Sequence, residues 1–392
     1  MDRQRTGNVI CKRVEEIKSF IVMDVLERAQ EMERAGESII HLEIGEPDFE
    51  TPQAIKAAAI EALGRGETRY THSLGMVQLR EAVCRYYDEH YGVKHLEPDQ
   101  VLVTSGTSPA FLVALSTILE CGEEVILSDP HYACYPNFVR FLGGVAKTVR
   151  VYEEDGFQYR PEAIRACLSP ATKAILINSP ANPTGNLLEP RRMEEIADIE
   201  GRWILSDEIY HGLVYEDRAR SMLEFTDRCI VFNGFSKLYA MTGWRLGYLI
   251  VPGDLVRPMQ RMLQNFFISA NSVAQAAGCV ALSDPSVQAD VQRMRETYNT
   301  RRRFMIRGLR EIGFTITVEP TGAFYVFANA ERFTRDSYNF AFEILEKAKV
   351  GVTPGVDFGT GGEGYIRFSY ANSLENIAEG LRRIEHYLQT RA

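Results

Sequence analysis

The amino-acid sequence predicts an α/β fold built on a mostly parallel central sheet. Two observations lead there. The middle of the chain repeats one theme, with short, mostly apolar runs at 101–104, 124–127, 173–178, 203–206, 229–233 and 246–251, each followed by a loop carrying Gly, Pro, Asn or Asp and then by a longer amphipathic stretch. Short continuous apolar runs alternating with helical stretches indicate parallel strands covered on both faces. The second observation is length: 392 residues exceed one small core and suit a large domain with a second, smaller one. In open sheets of this kind ligands sit beyond the carboxyl ends of the strands, so the loops after these runs are where chemistry is expected.

In chain order, apolar residues at helical spacing (Val14, Ile17, Ile21, Val25, Ala29, Met32) predict a helix over 14–35 that stops at Gly36. A strand-like run at 39–44 is broken by Gly45-Glu46-Pro47-Asp48-Phe49, which predicts an entry into the main domain. Helices are expected at 53–63 and 77–90, separated by the polar segment 70–75. Beyond the central repeat come a long Arg-rich helix at 287–312, strand-like runs at 314–318, 323–328 and 365–369, and helices near 337–348 and 374–388. This tail reads as a smaller α+β lobe. The predicted division is an N-terminal segment 1–45 joining the small domain, a large domain 46–285 and a small C-terminal domain 286–392. Gly359-Thr360-Gly361-Gly362 reads as a loose connector.

Composition narrows the function. With 45% hydrophobic and 25% charged residues and no run of eighteen apolar residues, the chain reads as an ordinary globular protein with no membrane passage. No apolar stretch follows Met1-Asp2-Arg3-Gln4-Arg5, so no signal peptide is expected, and the cytoplasm is the expected compartment. A net charge of -9 argues against the broad basic surface that nucleic acid requires. Seven scattered cysteines, never in a Cys-x-x-Cys pair, read as reduced thiols, and dispersed histidines leave a metal site without ligands at the usual spacing.

Four loops carry the candidate chemistry. Lys237 and Arg245 stand at the two ends of Ser-Lys-Leu-Tyr-Ala-Met-Thr-Gly-Trp-Arg, between two apolar runs. A lysine in a dry strand-end pocket can lose its proton and attack a carbonyl, while an arginine fork can hold a phosphate; amine and phosphate clamp together suggest pyridoxal phosphate. After 101–104, Ser105-Gly106-Thr107-Ser108 opens a helix, and reads either as a phosphate cup or as a plain N-cap. Asn182, in Ser-Pro-Ala-Asn-Pro-Thr-Gly, reads either as a turn residue or as an amide held to donate to a ring phenolate. Asp207, at the end of 203–206, is a buried carboxylate that needs a cation, for which a protonated pyridine nitrogen serves, unless it merely caps a helix.

Asn-Pro-Thr-Gly, Asp-Glu-Ile-Tyr and Ser-Lys-x-x-x-Met-Thr-Gly-Trp-Arg-x-Gly-Tyr, in this order, resemble the class I/II aminotransferases of PLP fold type I, over nearly the whole chain from Gly45 to Arg367. The resemblance implies a homodimer with shared active sites that moves an amino group between an L-amino acid and a 2-oxo acid by a ping-pong mechanism. It implies that Lys237 is the Schiff-base lysine and proton shuttle, that Asp207 pairs with the ring nitrogen, that Asn182 and Tyr210 hydrogen-bond the ring oxygen, and that Tyr132 stacks on the ring. Gly106, Thr107, Ser108 and Arg245 would hold the phosphate, with Tyr70 reaching it from the other subunit. Arg367 would bind the substrate α-carboxylate, helped by Gly45 and Asn182. One departure stands out: many relatives carry a serine three positions before the lysine as a phosphate ligand, where this chain has Gly234, so that either Ser236 compensates or the phosphate cup is one hydroxyl poorer.

The same cofactor contacts serve a carbon-sulfur β-lyase or a decarboxylase, which is the alternative reading. A cofactor-sensing regulator would bring a basic DNA-binding segment, and none is expected here. For side-chain selection His131, Cys134, Ile17 and Phe20 are candidates, and the donor stays open.

Overall fold

All six apolar runs become strands of one seven-stranded sheet in the computed structural model, which describes residues 10–391. The opening residues 1–5 considered above lie outside the described residues. Counting from β1 (Ile40–His41), the sheet comprises β2 (Val101–Thr104), β3 (Glu124–Asp129), β4 (Val145–Arg150), β5 (Thr172–Asn178), β6 (Trp203–Asp207), β7 (Cys229–Gly234) and β8 (Gly247–Ile250). Their order is β2-β8-β7-β6-β5-β3-β4, and β8 alone runs against its neighbours. Six strands therefore point the same way, and the carboxyl ends of β5, β6 and β7 bring Asn178, Asp207 and Gly234 to one rim.

Side chains alternate across this sheet as the pleat requires. Ile175, Ile177, Ile204 and Val231 face one core, whereas Leu176, Leu205, Ile230 and Phe232 face the other. Both faces are dry, which is why these strands read as continuous apolar runs. Strand β4 escaped that signal because it lies at the sheet edge with most of its residues exposed or half-buried.

A second sheet is antiparallel, in the order β11 (Thr353–Pro354), β12 (Tyr365–Ser369), β9 (Tyr325–Asn329). Strand β1 pairs in parallel with β10 (Val350–Gly351), joining an N-terminal segment to the C-terminal part of the chain. Helix Ile21–Arg34 makes the same connection, since Val25, Ala29 and Met32 pack with Ile39 and Leu345. Among the described residues no helix is long and apolar enough to cross a membrane, and the seven cysteines are free thiols.

Several elements differ from expectation. The single helix expected over 14–35 is split into Lys12–Glu15 and Ile21–Arg34. The break has a cause outside the segment: Asp357 accepts hydrogen bonds from the backbone of Ile21 (2.9 Å) and Val22 (3.2 Å), supplying the start of the second helix with the acceptor its own sequence lacks. The run at 39–44 shortens to Ile40–His41, and the run at 314–318 contributes one bridge, Thr315 to Asn329. Helices Gly253–Phe266 and Ser272–Ser283 fill a stretch left unassigned. The segment 359–362 is no loose connector. Asp129 at the end of β3 accepts from the Gly361 amide (2.7 Å) and the Thr360 hydroxyl (2.8 Å), and a Cβ at Gly361 would lie 2.5 Å from the same carboxylate.

Candidate active site

One cavity of about 400 Å³ lies over the carboxyl rim of the large sheet. Asp207, Tyr210, Asn182, Lys237, Ser236, Arg245, Thr107, Ser108, Tyr132, Gly45 and Arg367 all line it, so residues spread over more than 300 positions meet in one place.

Asp207 forms the floor. It is buried at the end of β6, where its carboxylate accepts a hydrogen bond from the Tyr135 hydroxyl at 2.6 Å and another from the Ile209 amide at 3.1 Å. Burial raises its pKa to about 6 against those two bonds and the nearby Lys237 charge, which work the other way. Such a carboxylate is short of a cation.

Lys237 follows β7 and donates from Nζ to the Gly45 carbonyl at 2.7 Å. Burial lowers its pKa to about 8; the Glu46 carboxylate resists that change, while Arg367 and Arg245 add to it. An amine in this state is neutral for a useful fraction of the time near neutral pH.

The phosphate-type corner is built on backbone. Gly106 has φ +97°, in the region glycine favours, and a Cβ there would lie 2.7 Å from Nη2 of Arg245. The bare glycine lets the guanidinium close against the start of helix Thr107–Ile118, whose first amides are free of helical partners. Arg245 is itself left-handed (φ +54°) and is steadied by Nη1 donating to the Thr242 carbonyl at 2.8 Å.

At the opposite wall Arg367, on β12, is only 2% exposed. It donates from Nη1 to Asn182 Oδ1 (2.9 Å) and from Nη2 to the Glu43 carbonyl (2.5 Å) and the Thr353 hydroxyl (3.1 Å). Its guanidinium lies 4.4 Å from the Tyr325 ring centre and 5.0 Å from that of Phe358, while Nε has no partner among the described residues. Asn182 is therefore oriented by Arg367 on one side and by its backbone N–H donating to Asn178 Oδ1 (2.8 Å) on the other.

The remaining expected residues have specific places. The Tyr210 hydroxyl pairs with that of Tyr325 at 2.8 Å, and Tyr132 meets Phe20 edge to face at 5.9 Å. Tyr70 is 79% exposed and does not line the cavity of its own chain. Gly234 is buried against β8, where a Cβ would lie 3.0 Å from Gly247 Cα and from the Leu246 carbonyl, so a serine at this position needs a different strand spacing. Among the side-chain candidates Phe20 lines the cavity, His131 lines a smaller neighbouring one, and Ile17 is exposed.

Sequence reasoning missed Tyr135, Tyr325 and the apolar roof of Val22, Met23 and Leu26 from helix Ile21–Arg34. Tyr135 was within reach, because it stands three residues after Tyr132 in the loop that follows β3. Tyr325 and the roof come from outside the large sheet, and no local pattern points them at the cavity.

The fit of this cavity to a cofactor rests on its donor set. It offers a carboxylate in want of a cation, a bare glycine under a guanidinium at a helix start, and an amine of lowered pKa between them. A ring with a basic nitrogen, a phosphate and a carbonyl matches all three.

Comparison with known proteins agrees with this chemistry. Residues 37–384 match the family model described as aminotransferase class I and II. The chain is similar to a (5-formylfuran-3-yl)methyl phosphate transaminase of Methanocaldococcus jannaschii, at 42% identity over 97% of this chain and 100% of that one. It is similar to an aspartate aminotransferase of Pyrococcus horikoshii, at 38% identity over 99% of each. Among solved structures, a double mutant of Thermus thermophilus aspartate aminotransferase superposes with a TM-score of 0.92 at 35% identity, covering 97% of this chain and 100% of that one.

Proposed function

Since the chain belongs to the aminotransferase class I and II family and is an aminotransferase, we propose that it exchanges an amino group between an L-amino acid and a 2-oxo acid in the cavity above β6, with Lys237 as the catalytic amine. One observation carries the reading: an amine lowered to about 8 shares a cavity with a cation-seeking carboxylate and two arginines at opposite walls. Pyridoxal 5'-phosphate, when bound, supplies a ring that takes up the electron pair left as the substrate α-proton departs.

The chain's residues do the rest. Lys237 Nζ would take the proton from the substrate α-carbon and, from the same face, give it up at the former carbonyl carbon of the cofactor. Asp207 provides the counter-charge for a protonated ring nitrogen, and the Tyr135 hydroxyl holds that carboxylate in line. Gly106, Thr107, Ser108, Ser236 and Arg245 would hold the phosphate, and Tyr132 would stack on the ring. Tyr210 and Asn182 would hydrogen-bond its phenolic oxygen. Arg367 would grip the substrate α-carboxylate with the donors its present partners leave free, Nε among them.

The exposure of Tyr70 fits a residue that serves a second copy, so we propose a homodimer with shared sites. The large domain spans 46–285, with 1–45 and 286–392 as its smaller companion, and the compartment is the cytoplasm. The roof of Phe20, Val22, Met23 and Leu26 favours a donor with an apolar side chain. No feature of the cavity favours the β-lyase or decarboxylase alternative.

The test is a panel of acidic, aromatic, branched and small amino donors against 2-oxoglutarate and pyruvate, with borohydride reduction of the protein saturated in pyridoxal phosphate. The expected result is parallel-line ping-pong kinetics and a reduced adduct on Lys237. An adduct on another lysine, or pyruvate and ammonia released without an acceptor, would overturn it.

A further inference from the structure

The carbonyl that Arg367 leans on belongs to Glu43, and Glu43 is an unusual residue to find there. It is 0% exposed, next to β1, with its carboxylate pressed against Gly351 of β10 so closely that a Cβ on that glycine would overlap it. A buried carboxylate is costly unless a cation meets it. The cation is His41, two residues earlier, whose Nδ1 lies 2.6 Å from Glu43 Oε1. Glu43 Oε2 has no partner among the described residues, so this one bond carries the charge.

The other side of the imidazole faces Glu33, with Nε2 3.1 Å from Oε1, and Glu33 sits on helix Ile21–Arg34, which also supplies the cavity roof. With a carboxylate at each nitrogen the ring is held protonated, its pKa raised to about 9 chiefly by the Glu43 bond. His41 thus joins the roof helix, the buried glutamate and, through that residue's backbone, the guanidinium of Arg367. The main-chain oxygen of Glu43 accepts both Arg367 Nη2 and the Thr353 hydroxyl. Two residues further on, the Gly45 carbonyl accepts Lys237.

We propose that His41 is a positioning residue for substrate binding: by neutralising Glu43 it fixes the 43–45 backbone against Arg367, and so sets the affinity for the α-carboxylate common to the amino acid and the 2-oxo acid. This rests on the assignment of Arg367 above. His41 touches neither substrate nor cofactor in this arrangement; its effect passes through the backbone of its neighbour.

The experiment compares the steady-state constants of His41→Ala, His41→Gln, the double variant His41→Gln/Glu43→Gln and Arg367→Lys with those of the parent holoenzyme, alongside melting temperatures. Expected are KM values for donor and acceptor both raised about tenfold in His41→Ala with kcat little changed, since a shared ground-state and transition-state contact is weakened. Removing the stranded charge in the double variant restores KM to within about threefold of the parent. A lowered melting temperature with unchanged KM, or a KM rise that the double variant fails to reverse, would overturn the proposal. Should His41→Ala fail to fold, His41→Gln and the double variant give the same reading. Unchanged KM in Arg367→Lys would sink the assignment of Arg367 and this proposal together, whereas a raised KM there with unchanged His41 variants sinks this proposal alone.

Discussion

The floor and the far wall of the cavity hold their charges by opposite means. Asp207 sits at the end of a parallel strand with two hydrogen-bond donors, the Tyr135 hydroxyl and the Ile209 amide, and its charge remains expensive. Arg367 lies within an antiparallel strand, beside two aromatic rings, with three acceptors: Asn182 and the Glu43 carbonyl from distant segments and the Thr353 hydroxyl from the neighbouring strand. The floor is left short of a cation, whereas the guanidinium at the wall is already held in place by three neutral acceptors and keeps Nε free of partners among the described residues before any substrate arrives. On the proposed function a site of this kind gains from the asymmetry: the unsatisfied carboxylate would bind a charged ring, and the pre-set guanidinium would need little reorganisation to take each new acid.

The largest effect expected from breaking this arrangement is at the amine between the two ends. Lys237→Ala should lose about 10²- to 10⁴-fold in multiple-turnover rate, the usual contribution of a positioned general base. Turnover near the parent rate would remove Lys237 from the mechanism. Next comes the floor. Asp207→Asn should abolish most activity yet raise the melting temperature of the cofactor-free protein above about pH 6. The sign follows from the raised pKa: folding favours the protonated carboxyl, so the group stabilises below its unfolded value of 3.8 and that contribution is lost as pH rises through about 6. An amide carries no such penalty. Scanning calorimetry of the cofactor-free proteins at pH 5 and pH 8 reads the difference directly, and a lower melting temperature for Asp207→Asn at pH 8 would contradict it.

A milder change sharpens the same contrast. Tyr135→Phe removes one of two donors to Asp207 without altering the volume much, so the rate should fall about tenfold, near the worth of a hydrogen bond to a charged group. The absorbance of bound cofactor against pH should titrate at a different pH from the parent, because the ring nitrogen's counter-ion has been changed. Identical titration curves would show that Tyr135 only fills space.

The contrast also explains what the sequence could reveal. Lys237, Asn182 and Gly106 lie in loops just after apolar strands and Asp207 ends one, so the direction of the strand already aims them at one rim and local spacing points to them. Strand β4 was missed because an exposed edge lacks the continuous apolar run that marks its neighbours. The opening helix was misread as continuous because the acceptor that starts it, Asp357, is 336 positions from Ile21. The roof residues and Tyr325 depend on the same kind of long-range pairing, and although His41 and Glu43 are two residues apart, the burial of Glu43 against Gly351 is long-range too. A sequence reports a residue's neighbours along the chain, and the wall is made of neighbours across it.

The smallest expected effect tests the wall through pH rather than through rate. The pKa of His41 is raised from 6.5 to about 9 by its bonds to Glu43 and Glu33. A group raised in the folded state contributes stability that is fully present below the unfolded value and fades as pH climbs through the folded one. The melting temperature of the parent should therefore exceed that of His41→Gln most clearly near pH 6, and the gap should narrow between pH 6.5 and about 9 as the imidazole loses its proton. Asp207 moves in the same direction with pH but in a lower window, closing by about pH 6, so the two can be told apart in one series of buffers. A gap that stays constant from pH 6 to pH 10 would mean that His41 holds Glu43 as a neutral hydrogen-bond donor, and the charge-based account of how the wall is kept in place would have to be given up.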